Sequence, residues 1–379
     1  MLEPKADSLH KLIGVQYLRA VAALMVVYLH ALEQIPAYAP LLRRLSGNAH
    51  MANGVDLFFV ISGFIMVATS SRASPGDFAI RRIIRIVPLY WCLTLALLIL
   101  ALWRPDLLRT TVLSAEYLAK SLLFIPYPNP GQNGRLLPLL VPGWTLNLEM
   151  FFYVIFTGML FLPRNRRVVA TTVVFVIIVW CAPLLGHATS HPEIGFFGDF
   201  RLFEFLFGMI IGEAFLRGLP RLPKTIAWGT TLGGLLMLFL GLPFLALPLG
   251  SLQQVLIENA LPAAVVVFGT LSLEPILRRR PWPFLALLGD ASYSMYVSHV
   301  FLLGVARTIW ARTGLEWISA PYAIAFGMLS LILTVIGTLI VYRWLEIPIL
   351  RELQGLYRRR RSPAPLGGVA PAWRSSQDL

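Results

Sequence analysis

Charged side chains are scarce in this chain of 379 residues: Asp, Glu, Lys and Arg together make up 13% of the sequence, while 57% of the residues are hydrophobic. Soluble domains carry about 25% charged residues, so the composition excludes an ordinary soluble domain and indicates a polytopic membrane protein. The two cysteines, Cys92 and Cys181, both lie in apolar runs, which excludes a disulfide framework and a cysteine metal cluster.

Several catalytic motifs are also missing from the sequence. It contains no Walker A loop, no H-E-x-x-H zinc motif, no G-x-S-x-G elbow and no dinucleotide fingerprint. Any chemistry must therefore rest on histidine and carboxylic acid side chains that act as general acid and base, without a metal.

Long apolar runs dominate the chain, and we predict an all-α integral membrane protein with about ten transmembrane helices. The predicted spans are 14–33, 54–71, 84–103, 143–162, 168–186, 199–216, 225–243, 252–273, 284–306 and 319–342. Most of the 32 Lys and Arg residues then fall on the side of the N-terminus. Because basic residues concentrate in short cytoplasmic loops, we expect both termini to be cytoplasmic. The net charge of +13 then reflects the basic residues of the cytoplasmic loops, and we expect no nucleic acid partner.

The spans predict one membrane domain, residues 14–345, between a cytoplasmic N-terminal segment, 1–13, and a basic cytoplasmic tail, 346–379. After Arg361 the tail is small, polar and Pro-rich, so we expect the tail to be mostly disordered. The longest loop, about 104–142, is predicted on the outer side with a short amphipathic helix near Ser114 to Phe124. We see no cleavable signal peptide before the first span.

Two ionisable residues, Arg19 and His30, lie inside the first predicted span. They are eleven positions apart, which brings them to nearly the same helical face and about 16 Å apart along the axis. An ionisable group inside a span is costly and marks function by default. A cation towards one side of the membrane and an imidazole towards the other predict a path through the bilayer that is lined by polar side chains. Such a path would serve either a membrane enzyme or a transporter.

Arginines at the start of the third span predict a phosphate site. Arg82 and Arg85 in RRIIRIVPLYW are three positions apart on one helical face, and arginine matches phosphate geometry with paired hydrogen bonds. Each arginine alone could equally reflect the cytoplasmic bias of basic residues. The cluster at a helix mouth favours a cytosolic donor that bears phosphate.

Carboxylates within the spans are the next candidates. Glu149 lies about two turns inside the fourth span, where a carboxylate must be paired, protonated or functional. Asp56 opens the second span near the His30 end, where it either caps the helix or orients the imidazole or binds substrate. In the same span, Ser62 and Gly63 are small enough to let another helix approach closely.

Polar residues also interrupt two later spans. Tyr296 and His299 lie three positions apart in the ninth span, within a polar seam (SYSMYVSH). A histidine in a helix is by default a packing residue, but inside a membrane a substrate-binding or orienting role stands equally open. In the sixth span Arg201 and Glu204 have the spacing of a local structural ion pair.

Five segments, in register over about residues 11–350, resemble the acyltransferase-3 family of integral membrane O-acyltransferases. They are YLRAVAALMVVYLHA with its R-x10-H spacing, GVDLFFVISGFIM, RRIIRIVPLYW, PGWTLNLEMFFY and SYSMYVSH. The opening VQYLRAVAAL is most similar to the bacterial members that modify exopolysaccharides.

The resemblance implies transfer of an acyl group, usually acetyl from acetyl-CoA, to a hydroxyl of an exopolysaccharide, another surface glycan or a lipid-linked oligosaccharide at the bacterial inner membrane. It implies that Arg19, Arg82 and Arg85 hold the CoA. His30 would then act as general base or carry the acyl group covalently, and Glu149 would orient it or act as the partner acid or base. The protein would be embedded in the lipid bilayer, and binding to other polysaccharide-biosynthesis proteins is an open possibility.

Other functions stay open on the same residues. A transporter of a small anion or a lipid-linked sugar would use intramembrane Arg, His and Glu as a proton-coupled carrier does, although no paired halves with matching broken helices are evident. An assembly subunit of a polysaccharide export complex would tolerate single polar substitutions. Within the enzyme class, succinyl transfer is an alternative to acetyl transfer.

Overall fold

The computed structural model describes residues 12–34, 53–71, 73–105, 113–218, 221–240, 252, 254–313 and 320–361. The regular structure in these ranges is helical, which confirms the all-α prediction, with one isolated β-bridge between Pro128 and Leu136. The helices are α1 (Ile13–Glu33), α2 (Asn53–Thr69), α3 (Pro75–Trp103), α4 (Ala115–Leu122), α5 (Gly143–Met159), α6 (Arg164–Thr189), α7 (Pro192–Phe196), α8 (Leu202–Leu216), α9 (Lys224–Leu240), α10 (Leu261–Leu277), α11 (Pro283–Asp290), α12 (Ser292–Arg312), α13 (Ala320–Val341) and α14 (Ile347–Arg361). Two π-helical turns, Gln254–Ala260 and Tyr342–Glu346, lead directly into α10 and α14.

Five helical stretches are long and apolar enough to cross a membrane: α1, α3, α6, Val255–Leu277 and Ile324–Arg359. Large apolar side chains on their outer faces, such as Ile99 and Leu184, are more than half exposed. Such a surface is typical of contact with lipid rather than water. Each of the other predicted spans also coincides with helix, and the count of ten crossings and the side of the termini stay predictions.

The ninth predicted span, residues 284–306, is not one continuous helix. Helix α11 ends at Asp290 and α12 begins at Ser292. Just before this break, the backbone of α11 lies so close to α1 that a Cβ on Gly289 would be 2.1 Å from the carbonyl oxygen of Gln16. Only glycine permits this approach, and it brings Asp290 and the start of α12 beside the turn of α1 that carries Arg19.

Helices α2 and α8 pack backbone to backbone through a pair of glycines. A Cβ on Gly63 would lie 2.0 Å from the carbonyl oxygen of Phe205, and one on Gly208 would lie 1.9 Å from that of Val60. Small residues at helix interfaces allow such approaches in membrane proteins. The expectation that Gly63 admits another helix is confirmed, and the partner is α8.

Part of the predicted disordered tail is helical instead. Within residues 346–379, α14 extends from Ile347 to Arg361 and follows α13 through a π-helical turn. Residues 362–379 and 1–11 lie outside the described residues. Helix α14 packs on the start of α3, where the Tyr357 hydroxyl donates to Asp77. Leu353 and Tyr357, one turn apart on α14, are both half-buried, and this spacing gives the helix a face that packs on the bundle.

The long loop between α3 and α5 contains the amphipathic helix predicted from the sequence. Helix α4 is capped by Ser114, whose hydroxyl accepts a hydrogen bond from the Tyr117 amide. The Tyr117 hydroxyl in turn donates to the carbonyl oxygen of Leu137 at 2.8 Å, and the Tyr90 hydroxyl donates to that of Ser121 at 3.2 Å. These bonds tie the described part of the loop, from residue 113 onward, to α3.

Candidate functional site

A cavity of about 980 Å³ lies between α1, α2, α3, α5 and α12. It reaches the end of the bundle where α1 and α3 begin, and we call this the basic end because the exposed residues Arg81 and Arg358 line the cavity there. Its volume is near the upper limit for small-molecule and cofactor sites. Among the described residues its lining includes five arginines and two carboxylic acids: Arg19, Arg81, Arg82, Arg85, Arg358, Glu149 and Asp290. This excess of positive charge fits an anionic ligand.

The three arginines singled out from the sequence, Arg19, Arg82 and Arg85, all line this cavity. The Arg82 guanidinium donates to the Thr69 hydroxyl at 3.1 Å and lies 5.3 Å above the ring centroid of Phe78. The Arg19 guanidinium is 3.4 Å from the side-chain oxygen of Gln16 on the same helix. The spacing of Arg82 and Arg85 thus brings both to the same face, as expected for residues three positions apart.

Arg85 is held by a carboxylate that sequence reasoning missed. Its guanidinium forms an ion pair with Glu346 in the π-helical turn before α14, and the Ser294 hydroxyl of α12 donates to the same carboxylate. Glu346 is 1% exposed. A buried carboxylate with two such donors fixes the direction of the arginine head group. The only sequence signal is an acidic residue at the end of the last apolar run.

Glu149 lies within the same cavity and has hydroxyl partners. It accepts a hydrogen bond from the Ser62 hydroxyl of α2 at 2.7 Å, and the Tyr153 hydroxyl one turn along α5 donates to the same oxygen. The Tyr153 ring also lies 5.9 Å from the Arg82 guanidinium. Tyr153 thus contacts both the Glu149 carboxylate and the Arg82 guanidinium, which comes from another helix.

Tyr296 and Phe58 line the cavity at the end farthest from Arg81 and Arg358 and pack edge to face, with their ring centroids 5.9 Å apart. The Tyr296 hydroxyl shares a 2.7 Å hydrogen bond with the Thr145 hydroxyl and donates to the carbonyl oxygen of Pro142 at 3.2 Å. These contacts fix the ring across the end of the cavity. We call the Phe58–Tyr296 contact the aromatic layer.

Two histidines are stacked beyond the aromatic layer. The His299 ring lies 6.1 Å from the Tyr296 ring, and the His30 ring lies 5.0 Å from that of His299 with 17° between their planes. His299 is fully buried, its Nδ1 lies 2.7 Å from the carbonyl oxygen of Tyr296, and its Nε2 has no hydrogen-bond partner among the described residues. Since a carbonyl only accepts, Nδ1 carries the proton and Nε2 the lone pair of the neutral ring.

His30 is outside the described cavity lining and lies at the opposite end of α1 from Arg19. Its Nδ1 is 2.7 Å from a carboxylate oxygen of Glu33, one turn along α1, and its side chain is 37% exposed. With Nδ1 directed at a carboxylate, Nε2 is the nitrogen that can accept a proton. Sequence reasoning missed Glu33, although the three-residue spacing in HALE is a signal for such a pair.

Asp56 has a partner other than His30, and its expected role in orienting the imidazole or binding substrate stays a prediction. It is buried and forms an ion pair with Arg201, 3.6 Å away at the start of α8. Arg201 also pairs with Asp199 at 3.1 Å and lies 5.4 Å from the ring centroid of Trp144. The ion pairs of Arg201 are thus with Asp56 and Asp199, and the local pair predicted with Glu204 is not among the ion pairs of the described residues.

Carboxylates and imidazoles in the described part of the chain do not gather as metal ligands: no group of three or more His, Cys, Asp or Glu residues there has the arrangement to hold an ion. The chemistry that the described side chains offer is anion binding by arginines, proton transfer by Glu149 and proton transfer by His30.

Comparison with known proteins identifies relatives of most of the helical bundle. The family model of the acyltransferase domain matches residues 12–342, which include α1 to α13 and end before Glu346 and α14. The exopolysaccharide production protein ExoZ of Rhizobium meliloti (strain 1021) is 39% identical over 329 residues, covering 84% of this chain and 94% of the relative. No solved structure matches the chain.

Proposed function

We propose that this chain, which belongs to the acyltransferase-3 family and is an acyltransferase, transfers acetyl from acetyl-CoA to a hydroxyl of a bacterial exopolysaccharide or another surface glycan. The name of the Rhizobium relative ties that protein to exopolysaccharide production, which supports the class of acceptor. The bacterial inner membrane is the site of action in this proposal, with the basic end of the bundle facing the cytoplasm.

The observation that carries the proposal is the arginine-lined cavity at the basic end. Acetyl-CoA is a polyanion with a diphosphate and a phosphate monoester, and arginine binds such groups through paired, charge-assisted hydrogen bonds. Arg19, Arg82 and Arg85 line the deeper part of the cavity among buried or half-buried side chains. We assign to them the phosphates nearest the thioester arm.

We assign the acceptor chemistry to His30. Its Nε2 takes the proton of the sugar hydroxyl while the hydroxyl oxygen attacks the thioester carbon. A carbon–oxygen bond forms, the carbon–sulfur bond breaks, and CoA leaves as a thiolate that is protonated to the thiol. In a two-step variant, Nε2 attacks the thioester first and the acyl group rests on the imidazole before the hydroxyl displaces it.

Glu149 and the aromatic layer complete this scheme. Glu149 lies on the donor side, in the cavity, so its role in the scheme is to supply the proton that the leaving thiolate takes up. His299 holds the His30 ring by stacking, and His299 is itself fixed by its hydrogen bond to the Tyr296 carbonyl oxygen. Since His30 lies beyond the Phe58–Tyr296 contact, the scheme requires this contact to open when the thioester arm enters.

The test is the acetyl content of the exopolysaccharide, measured by proton NMR in a deletion strain that carries wild-type protein, His30→Ala or His187→Ala. His187 is an exposed histidine near the end of α6 and serves as the matched control. We expect His30→Ala to lose the acetyl signals, as the empty deletion strain does, at equal membrane protein level and polymer yield. His187→Ala should keep them.

Three other results would redirect the proposal. Full acetylation with His30→Ala would remove His30 from the chemistry. Loss of succinyl rather than acetyl signals would replace the donor. Unchanged acylation with altered polymer yield in the deletion strain would favour a transporter or an assembly subunit.

A further inference from the structure

The mouth of the cavity is completed by a helix that follows the last predicted span. Helix α14 contributes Gln354, Tyr357 and Arg358 to the cavity lining, and α3 contributes Arg81. Arg81 and Arg358 are both exposed, in contrast to the half-buried Arg82 and Arg85. We call Arg81 and Arg358 the rim pair.

Helix α14 is fixed at both of its ends, so the position of Arg358 is defined by the fold. At its start, Glu346 is bound by Arg85 and by Ser294. Near its end, the Tyr357 hydroxyl donates to Asp77 in the first turn of α3. The residue next to Arg358 is thus tied to the helix that carries Arg81.

The arginines of the cavity differ in exposure. Arg81 is exposed, whereas its neighbour Arg82 is half-buried and donates to Thr69. Arg85 lies one turn beyond Arg81, about 6 Å along the axis of α3, and is half-buried and paired with Glu346. The rim pair lies where the cavity meets solvent. A ligand with two anionic groups separated along its length can contact the rim pair and the deeper arginines together.

We propose that the rim pair binds the 3′-phosphate at the nucleotide end of acyl-CoA and selects the phosphorylated donor over its 3′-dephospho form. This inference rests on the proposed function, which assigns the diphosphate to the deeper arginines. A phosphate monoester can accept paired hydrogen bonds from two guanidinium groups. An anionic lipid headgroup offers similar phosphate chemistry at the same membrane surface, so lipid must be varied in the test.

The experiment measures binding of CoA and of 3′-dephospho-CoA to the full-length protein in phosphatidylcholine nanodiscs by titration calorimetry. We expect wild-type protein to bind CoA about tenfold more tightly, as charge-assisted bonds at a solvent-exposed site allow. Arg81→Gln with Arg358→Gln should remove this preference and leave the affinity for 3′-dephospho-CoA unchanged. Arg359→Gln is the control, because Arg359 is exposed on α14 and outside the described cavity lining.

A second variant tests the role of α14 as the support of the rim pair. Tyr357→Phe removes the hydrogen bond to Asp77 without a change of charge, and we expect it to reduce the preference for CoA while it spares 3′-dephospho-CoA. Equal loss of affinity for both nucleotides would assign Tyr357 a general structural role and contradict this part of the inference.

The outcomes separate the inference from the proposed function. If wild-type protein binds both nucleotides equally well, the rim site is refuted while the donor proposal stands. If it binds neither nucleotide, the donor proposal fails and the rim site with it. If the rim variants lose only a response to added phosphatidylglycerol and keep the nucleotide preference, the rim pair binds lipid headgroups and the inference is overturned.

Discussion

Replacement of Glu346 by Gln removes the negative charge that faces Arg85 inside the bundle. Breaking a buried ion pair by loss of one partner costs about 3–5 kcal/mol. The Glu346 side chain is 1% exposed, but that of Arg85 is 28% exposed and is partly screened by solvent. We therefore expect the lower limit, a loss of about 3 kcal/mol in the free energy of unfolding, which is about a hundredfold in the folded-to-unfolded ratio.

The assay is equilibrium or thermal unfolding of the detergent-purified protein for wild type, Glu346→Gln, Arg85→Gln and the double variant. Because the double variant leaves no uncompensated charge, its loss should fall short of the sum of the single losses by about 0.5–3 kcal/mol. The control pair is Glu213 and Arg217 at spacing i,i+4, whose side chains are 17% and 67% exposed.

For this helical pair, whose arginine is exposed, Glu213→Gln should cost only about 0.3–0.5 kcal/mol. Additive losses at Glu346 and Arg85, or a loss at Glu346 no larger than that at Glu213, would refute the reasoning. In that case the ion pair would not hold α14 against α3 and α12.

Gly63→Ala should destabilise the protein by about 1–3 kcal/mol or more, because the new methyl group meets backbone of α8. Gly158→Ala, at a helical glycine with nothing within 4 Å, should be neutral or stabilising by up to about 1 kcal/mol; equal effects in thermal unfolding would contradict the close packing. Glu33→Gln should slow acyl transfer about tenfold, since it weakens a charge-assisted hydrogen bond to His30 worth about 1.5 kcal/mol, and an unchanged rate would assign Glu33 no orienting role. Arg82→Gln should raise the KM for acetyl-CoA about tenfold and leave the KM for the glycan unchanged, and equal changes in both would remove Arg82 from the donor site.

Features that depend on local helix geometry could be predicted from the sequence. The spacing of Arg82 and Arg85 sets a shared face, and the helical periodicity of the first apolar run separates Arg19 from His30 along one helix. Ser114 marks the start of α4 because it satisfies a free amide of the first turn. These inferences need no knowledge of which helices are neighbours.

Features that depend on helix packing could not be predicted in this way. Asp56 pairs with Arg201 because Gly63 and Gly208 let α2 and α8 approach, and hydropathy contains no information on that register. The same limit applies to Glu346, whose partners Arg85 and Ser294 come from two other helices. The break after Asp290 also depends on packing, because it follows the close approach of Gly289 to Gln16 of α1.

The aromatic layer has an electrical consequence in an energised membrane. A cavity that opens to solvent at the basic end would have nearly the potential of the solution there, so the transmembrane voltage would fall mainly across Phe58, Tyr296 and the histidines beyond them. Each elementary charge that crosses such a drop requires about 2.3 kcal/mol per 100 mV. In the proposed scheme, the CoA head with its several negative charges stays at the basic end, and the neutral acetyl group crosses without electrical work. Acylation by this scheme should therefore not depend on the membrane potential.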